Sequence, residues 1–433
     1  MKRIVKTTAF GLLLLAAAAS PGQADVSLHG FLQGLWGGRL DQNNPTATEQ
    51  TASETRMQLR VEHFGDNAEV FGRLDFFWDG ADTADYDWEL REGYLKFRIG
   101  SNIDVKAGRQ ILTWGTGDLI FINDVFAKDY RSFFVGRDDQ YLKAPQNALR
   151  AEYYNSLGSF SVVWTPRFEP NRLPTGDRLS YYSPFDRRIV GTGLSPAYYF
   201  DPPTPEPKFE NGEIATRFQR TMGPFSAALY FYKGFYKNPL GVRMVMIDTT
   251  VFPMPVYPKL NLWGASLRGT AIGGILWVEA GYYDSRQDKD DDNPLMPNSS
   301  VVGLAGYERQ VATNLTINLQ WQVDYMFDYD KYLDGFRDQS SGEVIGWVRD
   351  EARHLLTTRI RKLVNSELIL LEAFLFYSPT DEDAYLRLLT EYKYTDEVTL
   401  AIGANIFDGQ YEASEFGQFQ RNDNIYAKLT YGF

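Results

Sequence analysis

Cysteine is absent from all 433 residues. That excludes disulfides, thiol nucleophiles, Cys-ligated metals and covalent haem attachment. Histidine is nearly absent. His29, His63 and His354 are scattered without ligand spacing, so no His-based metal site is expected and no cofactor is implied. Only His354, beside Asp350 and Glu351 and near Ser340 and Ser341, stands where a rim hydrolase would need it, and nothing fixes that geometry. No apolar run reaches the ~18–20 residues of a transmembrane helix. An excess of positive charge is missing as well: the formal net charge is -12. That argues against a nucleic-acid partner and against a polybasic membrane contact.

Aromatics, by contrast, make up 15% of the chain, and apolar residues recur with period two. At the C-terminus Ile425, Ala427, Leu429, Tyr431 and Phe433 alternate with Asn424, Tyr426, Lys428, Thr430 and Gly432. Such alternation puts one set on each face of a β-strand. Leu315, Ile317, Leu319, Trp321, Val323 and Tyr325 alternate likewise with Thr316, Asn318, Gln320, Gln322 and Asp324. Further alternating runs bring the expected number of strands to about 18, between 16 and 18 at the narrowest count. Short turns such as 100–102, 156–158 and 272–274 alternate with long segments at 37–54, 79–87, 115–145, 167–211, 234–258, 285–299, 328–349, 378–383 and 408–422. An all-β, antiparallel transmembrane barrel explains both patterns, with an apolar face to lipid, a polar face to a wet lumen, and long loops at one end only. A soluble β-sandwich has the same periodicity but requires neither the loop asymmetry nor a terminal Phe.

The N-terminus fits that reading. Lys2, Arg3 and Lys6 precede an apolar stretch at 10–19, and Gly22-Gln23-Ala24 is a small-x-small cleavage site. Residues 1–24 are therefore read as a cleaved signal peptide and 25–433 as one barrel domain. With no segment of plug size before the first strand, a plugged transporter is not expected.

The ending resembles the final strand of bacterial outer-membrane β-barrels, which characteristically close on a C-terminal Phe. Gly108-Arg109-Gln110, just before the long segment 115–145, is similar to a tripeptide that precedes the inward-folded third loop of general porins. The resemblance implies a Gram-negative outer membrane, contact with its lipid and lipopolysaccharide, recognition by the barrel assembly machinery through the strand ending at Phe433, and a homotrimer by analogy. It also implies a constriction built by 115–145, with Asp118, Asp124, Arg131, Arg137, Asp138 and Asp139 presented to the pore. The other reading of 115–145 is a surface loop folded on itself.

Taking the polar face inward, the lumen is lined by Arg60, Arg73, Asp75, Arg109, Arg150, Arg217, Arg268, Asp324, Arg359, Arg361 and Arg387. Fixed charges in a narrow pore set the sign of what passes. The architecture resembles 18-stranded carboxylate-selective and alginate-export channels. The expected function is a passive, porin-like, non-enzymatic channel for small hydrophilic or anionic solutes. The alternatives are a partner-dependent export conduit for a polymer or lipid, and a structural or adhesive barrel acting through 167–211. The acidic run 288–292 is expected to be a solvated loop, and the proline-rich 201–207 a stiff lid or receptor loop.

Overall fold

The computed structural model describes residues 26–433, apart from 42, 66–67, 82–84, 193–201, 248, 289–292 and 339. The segment 1–24, read above as a signal peptide, and most of the acidic run lie outside the described residues.

Eighteen strands form one closed antiparallel sheet. They are β1 (Val26–Arg39), β2 (Gln50–Phe64), β3 (Ala68–Asp79), β4 (Asp85–Ile99), β5 (Ile103–Ile111), β6 (Pro145–Asn155) and β7 (Gly158–Thr165), then β10 (Glu213–Met222) and β11 (Phe225–Phe235). The circuit continues through β14 (Lys259–Ala271), β15 (Gly274–Ser285), β16 (Ser300–Ala312), β17 (Leu315–Met326), β18 (Ala352–Val364), β19 (Ile369–Ser378), β20 (Asp383–Lys393), β21 (Val398–Gly409) and β22 (Asn424–Gly432). Two hairpins outside the barrel, β8 (Tyr181–Ser183) with β9 (Arg188–Val190) and β12 (Gly241–Ile247) with β13 (Thr250–Val256), sit in the fourth and fifth long loops. Period-two reading did not single them out.

Closure is between β1 and β22, from Phe31 opposite Gly432 to Arg39 opposite Asn424. The seam ends in a reciprocal pair: Gly30 N–H donates to the Phe433 carbonyl at 2.9 Å, and Phe433 N–H to the Gly30 carbonyl at 3.0 Å. A Cβ on Gly30 would lie 2.7 Å from the Phe433 ring, so the terminal Phe seats on a glycine.

Outward residues follow the expected alternation. Leu28, Leu32, Trp36, Leu229, Trp263, Leu319, Trp321, Ile402 and Leu429 are exposed, while Asn318 and Gln320 are buried on the inner side. The expected polar inner face holds only toward the turn end. Toward the loop end it is apolar: Leu262, Val302, Leu304, Leu355, Phe374, Phe376, Tyr385 and Phe407 all point inward and are buried. β19 is apolar on both faces there, as a strand packed on both sides must be.

The ladder between β3 and β4 carries a bulge. Its register shifts so that Arg73 lies opposite Glu92 and Leu74 opposite Leu90. The extra residue is Arg91, whose side chain the bulge re-aims inward.

Candidate functional site

The segment between β5 and β6 does not leave the barrel; it folds into it. Gly108 starts the departure. It takes φ +132°, and a Cβ there would meet the Gly93 carbonyl at 2.3 Å, so no other residue fits. Gln110 is fully buried and its amide donates to the Ala148 carbonyl at 3.0 Å. Arg109 lies opposite Gly93, donates to the Leu90 carbonyl at 2.8 Å and pairs with Glu169 at 3.1 Å. It therefore ties the wall to the fourth loop.

The first leg crosses the lumen to β15–β18. Glu279 accepts from Thr116 N–H at 2.6 Å, Thr116 Oγ1 at 2.8 Å and Asn123 N–H at 2.8 Å. The Gln320 amide exchanges bonds with the Asp118 backbone, both at 2.8 Å. Asp118 itself pairs with Arg359 at 3.0 Å. Asp124 is not presented to the pore as expected. It is buried inside the loop against Lys128 at 2.9 Å, with Thr113 donating at 2.8 Å.

At its apex the loop forms a short helix, Tyr130–Phe134, capped by Asp129 accepting from Ser132 N–H. Phe133 and Phe134 insert among Phe376, Tyr385, Phe407 and Phe419, with Phe134 4.8 Å from Phe419 and edge-on to Phe407 at 5.3 Å. These rings are what the apolar inner face of β19–β21 receives. Gly136 then turns with φ +84° directly beneath Tyr426, whose ring lies 2.4 Å from where a Cβ would be.

The return leg carries the charges. Arg137 pairs with Glu54 and with Asp79 at 3.2 Å. Asp138 pairs with Lys428 and accepts from Gln33 at 3.2 Å. Asp139 bridges Arg387 at 2.8 Å and Arg359 at 3.3 Å. Tyr141 OH donates to Asp75 at 2.9 Å, and the guanidiniums of Arg56 and Arg91 lie over its ring at 4.6 and 4.7 Å. Arg91 donates to the carbonyls of Gln140 and Lys143, both at 3.0 Å. The bulge thus supplies the cation that clamps the loop backbone.

Sharing Arg359 sets Asp118 and Asp139 apart. For Asp118, burial outweighs Arg359 and its carboxyl is pushed up. Burial also acts on Asp139, but Arg387, Arg359 and Lys428 together outweigh it and hold that carboxyl down.

The other expected lumen residues divide by partner. Asp75 is wholly buried under the loop, bonded to Arg56, Gln58 and Tyr141, and so does not line open space as expected. Arg60 pairs with Glu62, Arg73 with Glu92, Arg150 with Glu152, Asp324 with Arg349, and Arg361 with Glu372. Arg217 stands 3.8 Å from Glu152 with its guanidinium over Trp114. Arg268 has no carboxylate within ion-pair distance among the described residues; it lies over Trp277 and donates to the Thr116 carbonyl at 3.2 Å.

Above the inward loop, the fourth loop crosses the mouth. Arg178 pairs with Asp79 at 2.6 Å and Arg172 with Asp129 at 3.2 Å. Ser180 N–H donates to Asn422 at 2.9 Å, and Asn422 returns a bond to the Ser180 carbonyl at 2.8 Å. Between the two loops lies a cavity of about 470 Å³, whose lining includes Arg91, Arg131, Arg137, Arg172 and Arg178. Of these, Arg131 and Arg137 were expected, and burial lowers the pKa of Arg131. Glu54, Arg56, Arg91, Arg172, Arg178 and Glu279 were not singled out in the sequence. For Glu54 and Arg56 the alternation in 50–64 was an available signal; for Arg91, displaced by a bulge, there was none. His354 points outward and stacks on Trp321 at 5.8 Å, which removes it from any rim site with Ser340.

No protein-family model matches the chain, and no curated protein matches it in sequence. Solved structures do. OccK5 (OpdH) of Pseudomonas aeruginosa is 10% identical with a TM-score of 0.55, covering 94% of this chain and 98% of its own. OccAB4 of Acinetobacter baumannii is 10% identical with a TM-score of 0.54, covering 96% and 100%. OccAB3 of the same organism is 8% identical with a TM-score of 0.54, covering 94% and 99%. At such identities the likeness is one of fold. By that fold the chain is a closed, 18-stranded antiparallel β-barrel.

Proposed function

We propose that the chain is a passive outer-membrane channel for small hydrophilic solutes, with its long loops outside the cell and both termini in the periplasm. The observation that carries this reading is the segment 112–144, folded into the lumen and tied by side chains to opposite walls. A wide barrel narrowed by an anchored loop discriminates by size and by the charges at the narrowing. Asp118, Arg137, Asp138 and Asp139 are the constriction residues in this reading, with Arg359, Arg387 and Lys428 facing them. A preference for anions would rest on cations left without a carboxylate partner among the described residues. These include Arg268, Arg131, and Lys106, whose ammonium lies 3.5 Å from the Tyr94 ring centre. Lipid and lipopolysaccharide meet the outward apolar band. The strand ending at Phe433 is the handle for the assembly machinery, after cleavage behind Ala24.

One observation favours a second reading, a conduit that opens only with a partner. The loop end of the lumen is packed with aromatic rings and covered by the fourth loop. Single-channel recording in a planar bilayer, with reversal potential under a salt gradient, separates the two. A steady conductance supports the diffusion channel; a tight, silent barrel overturns it in favour of the conduit.

A further inference from the structure

The hairpin β12–β13 in the fifth loop has no part in the constriction and forms an isolated two-stranded sheet. Val242 lies opposite Pro255, Met244 opposite Pro253 and Met246 opposite Val251. In an antiparallel ladder, opposed residues alternate between pairs that exchange both backbone bonds and pairs whose groups point away from each other. Proline has no N–H to exchange. The two proline pairs are therefore of the outward kind, and by alternation so is Met246–Val251. Val242 bears this out: its N–H donates outside the hairpin, to the Leu295 carbonyl at 2.7 Å.

The two edges are consequently unlike. The β13 edge lacks donors at Pro253 and Pro255 and cannot accept a strand. The β12 edge presents the N–H and C=O groups of Met244 and Met246, which have no other backbone partner among the described residues. The two methionines are 55% and 70% exposed, so this open edge is apolar as well.

The geometry points to a second copy of this chain as the occupant, with β12 pairing antiparallel to β12 about a two-fold through Val245. In that register Met244 of one copy lies opposite Met246 of the other. Four hydrogen bonds then use the N–H and C=O groups of Met244 and Met246 on both edges and leave the Val242 N–H with Leu295. Arg243, the one charged residue of either strand, falls at opposite ends of the paired segment, so like charges are not opposed. Two barrels in one bilayer share orientation and depth, which brings the same edge of each to the same height. The inference rests on the membrane-barrel reading but not on conduction.

The chain has no native thiol, so Val245→Cys introduces the only one. At the two-fold, Val245 faces its counterpart in an outward-type pair with Cα atoms about 4.5 Å apart, within disulfide reach. Full-length protein in phospholipid vesicles, mildly oxidised, should give a reducible dimer of twice the chain mass. Arg243→Cys, offset by four positions, should not. Adding Met246→Pro removes an edge donor that the hairpin's own ladder does not use, and should abolish the dimer. In detergent, the wild-type protein should sediment as a dimer and Met246→Pro alone as a monomer. The inference is overturned by a monomeric Val245→Cys, by equal cross-linking at Arg243→Cys, by a dimer that survives Met246→Pro, or by cross-linking to a chain of another mass. A silent barrel that still dimerises would defeat the channel reading and leave this one standing.

Discussion

Asp139→Asn is the most direct probe of the proposed constriction. Asp139 is the carboxylate that both Arg387 and Arg359 reach, and its side chain is 39% exposed, so it borders water while holding the loop. The substitution keeps the shape and removes one negative charge. Arg359 retains Asp118 and Glu372, whereas Arg387 keeps no carboxylate within ion-pair distance among the described residues. For an ion passing on the order of 8 Å away, with an effective dielectric constant near 60, one unit charge changes its energy by about 0.7 kcal/mol. Cations and anions move in opposite senses, so the permeability ratio should shift toward anions by about tenfold at low salt and ~threefold at 0.1 M, where screening acts over ~10 Å. Reversal potentials in a KCl gradient, taken at both ionic strengths, read this directly. Asp139→Asn combined with Arg387→Gln restores the charge and should return the ratio toward that of the wild type. A reversal potential unchanged at either salt level would mean that Asp139 does not border the ion path.

Acidification should act on the two aspartates in sequence. Asp118, raised by burial, takes up its proton above the ordinary aspartate range, adding a positive increment to the lumen and favouring the folded loop as pH falls. Asp139, held low, contributes anchoring that is present above the unfolded carboxylate pKa and is lost as pH falls through its lower folded value. Anion preference should therefore rise first and channel noise later, and Asp118→Asn should remove the first step of a pH series of reversal potentials. Arg91→Leu leaves the Gln140 and Lys143 carbonyls without their donor, at about 1–3 kcal/mol per orphaned group. Single-channel traces should become noisier, and the heat-modified gel shift of the barrel should persist. Gly136→Ala places a methyl against the Tyr426 ring in a left-handed backbone, so the loop apex should unseat and conductance rise. Gly30→Val collides with the Phe433 ring and the Gln58 carbonyl, and refolding yield in detergent should fall sharply.

The barrel was legible because its outward face obeys one rule along every strand. Leu315 to Tyr325 and Ile425 to Phe433 read the same way in the sequence and in space. The inward fold of the third loop was one of two readings open for 115–145, suggested by the resemblance carried by Gly108-Arg109-Gln110 and by the length of the segment. The inner face was harder to read, because a residue's polarity there depends on height as well as parity. Phe374, Phe376 and Phe407 break the polar pattern where they meet Phe133 and Phe134, and that contact is separated by more than 200 positions in the chain. Nor does a strand pattern reveal that Asp75 is covered by Tyr141, or that a bulge turns Arg91 toward the loop.

These departures share a physical origin. An 18-stranded barrel encloses more space than side chains projecting from its wall can fill. Something else must occupy the loop end if the lumen is to discriminate. A polar loop lying in water would gain little from the wall and would sample many positions. Phe133 and Phe134 give the apex an apolar seat whose burial favours one depth. Burial alone does not fix which way the loop faces, since aromatic contacts tolerate sliding. The paired charges supply that register, because Asp118, Arg137, Asp138 and Asp139 each have a counter-charge at a different point on the wall. Apolar packing sets how deep the loop lies, and the ion pairs set its register against the wall.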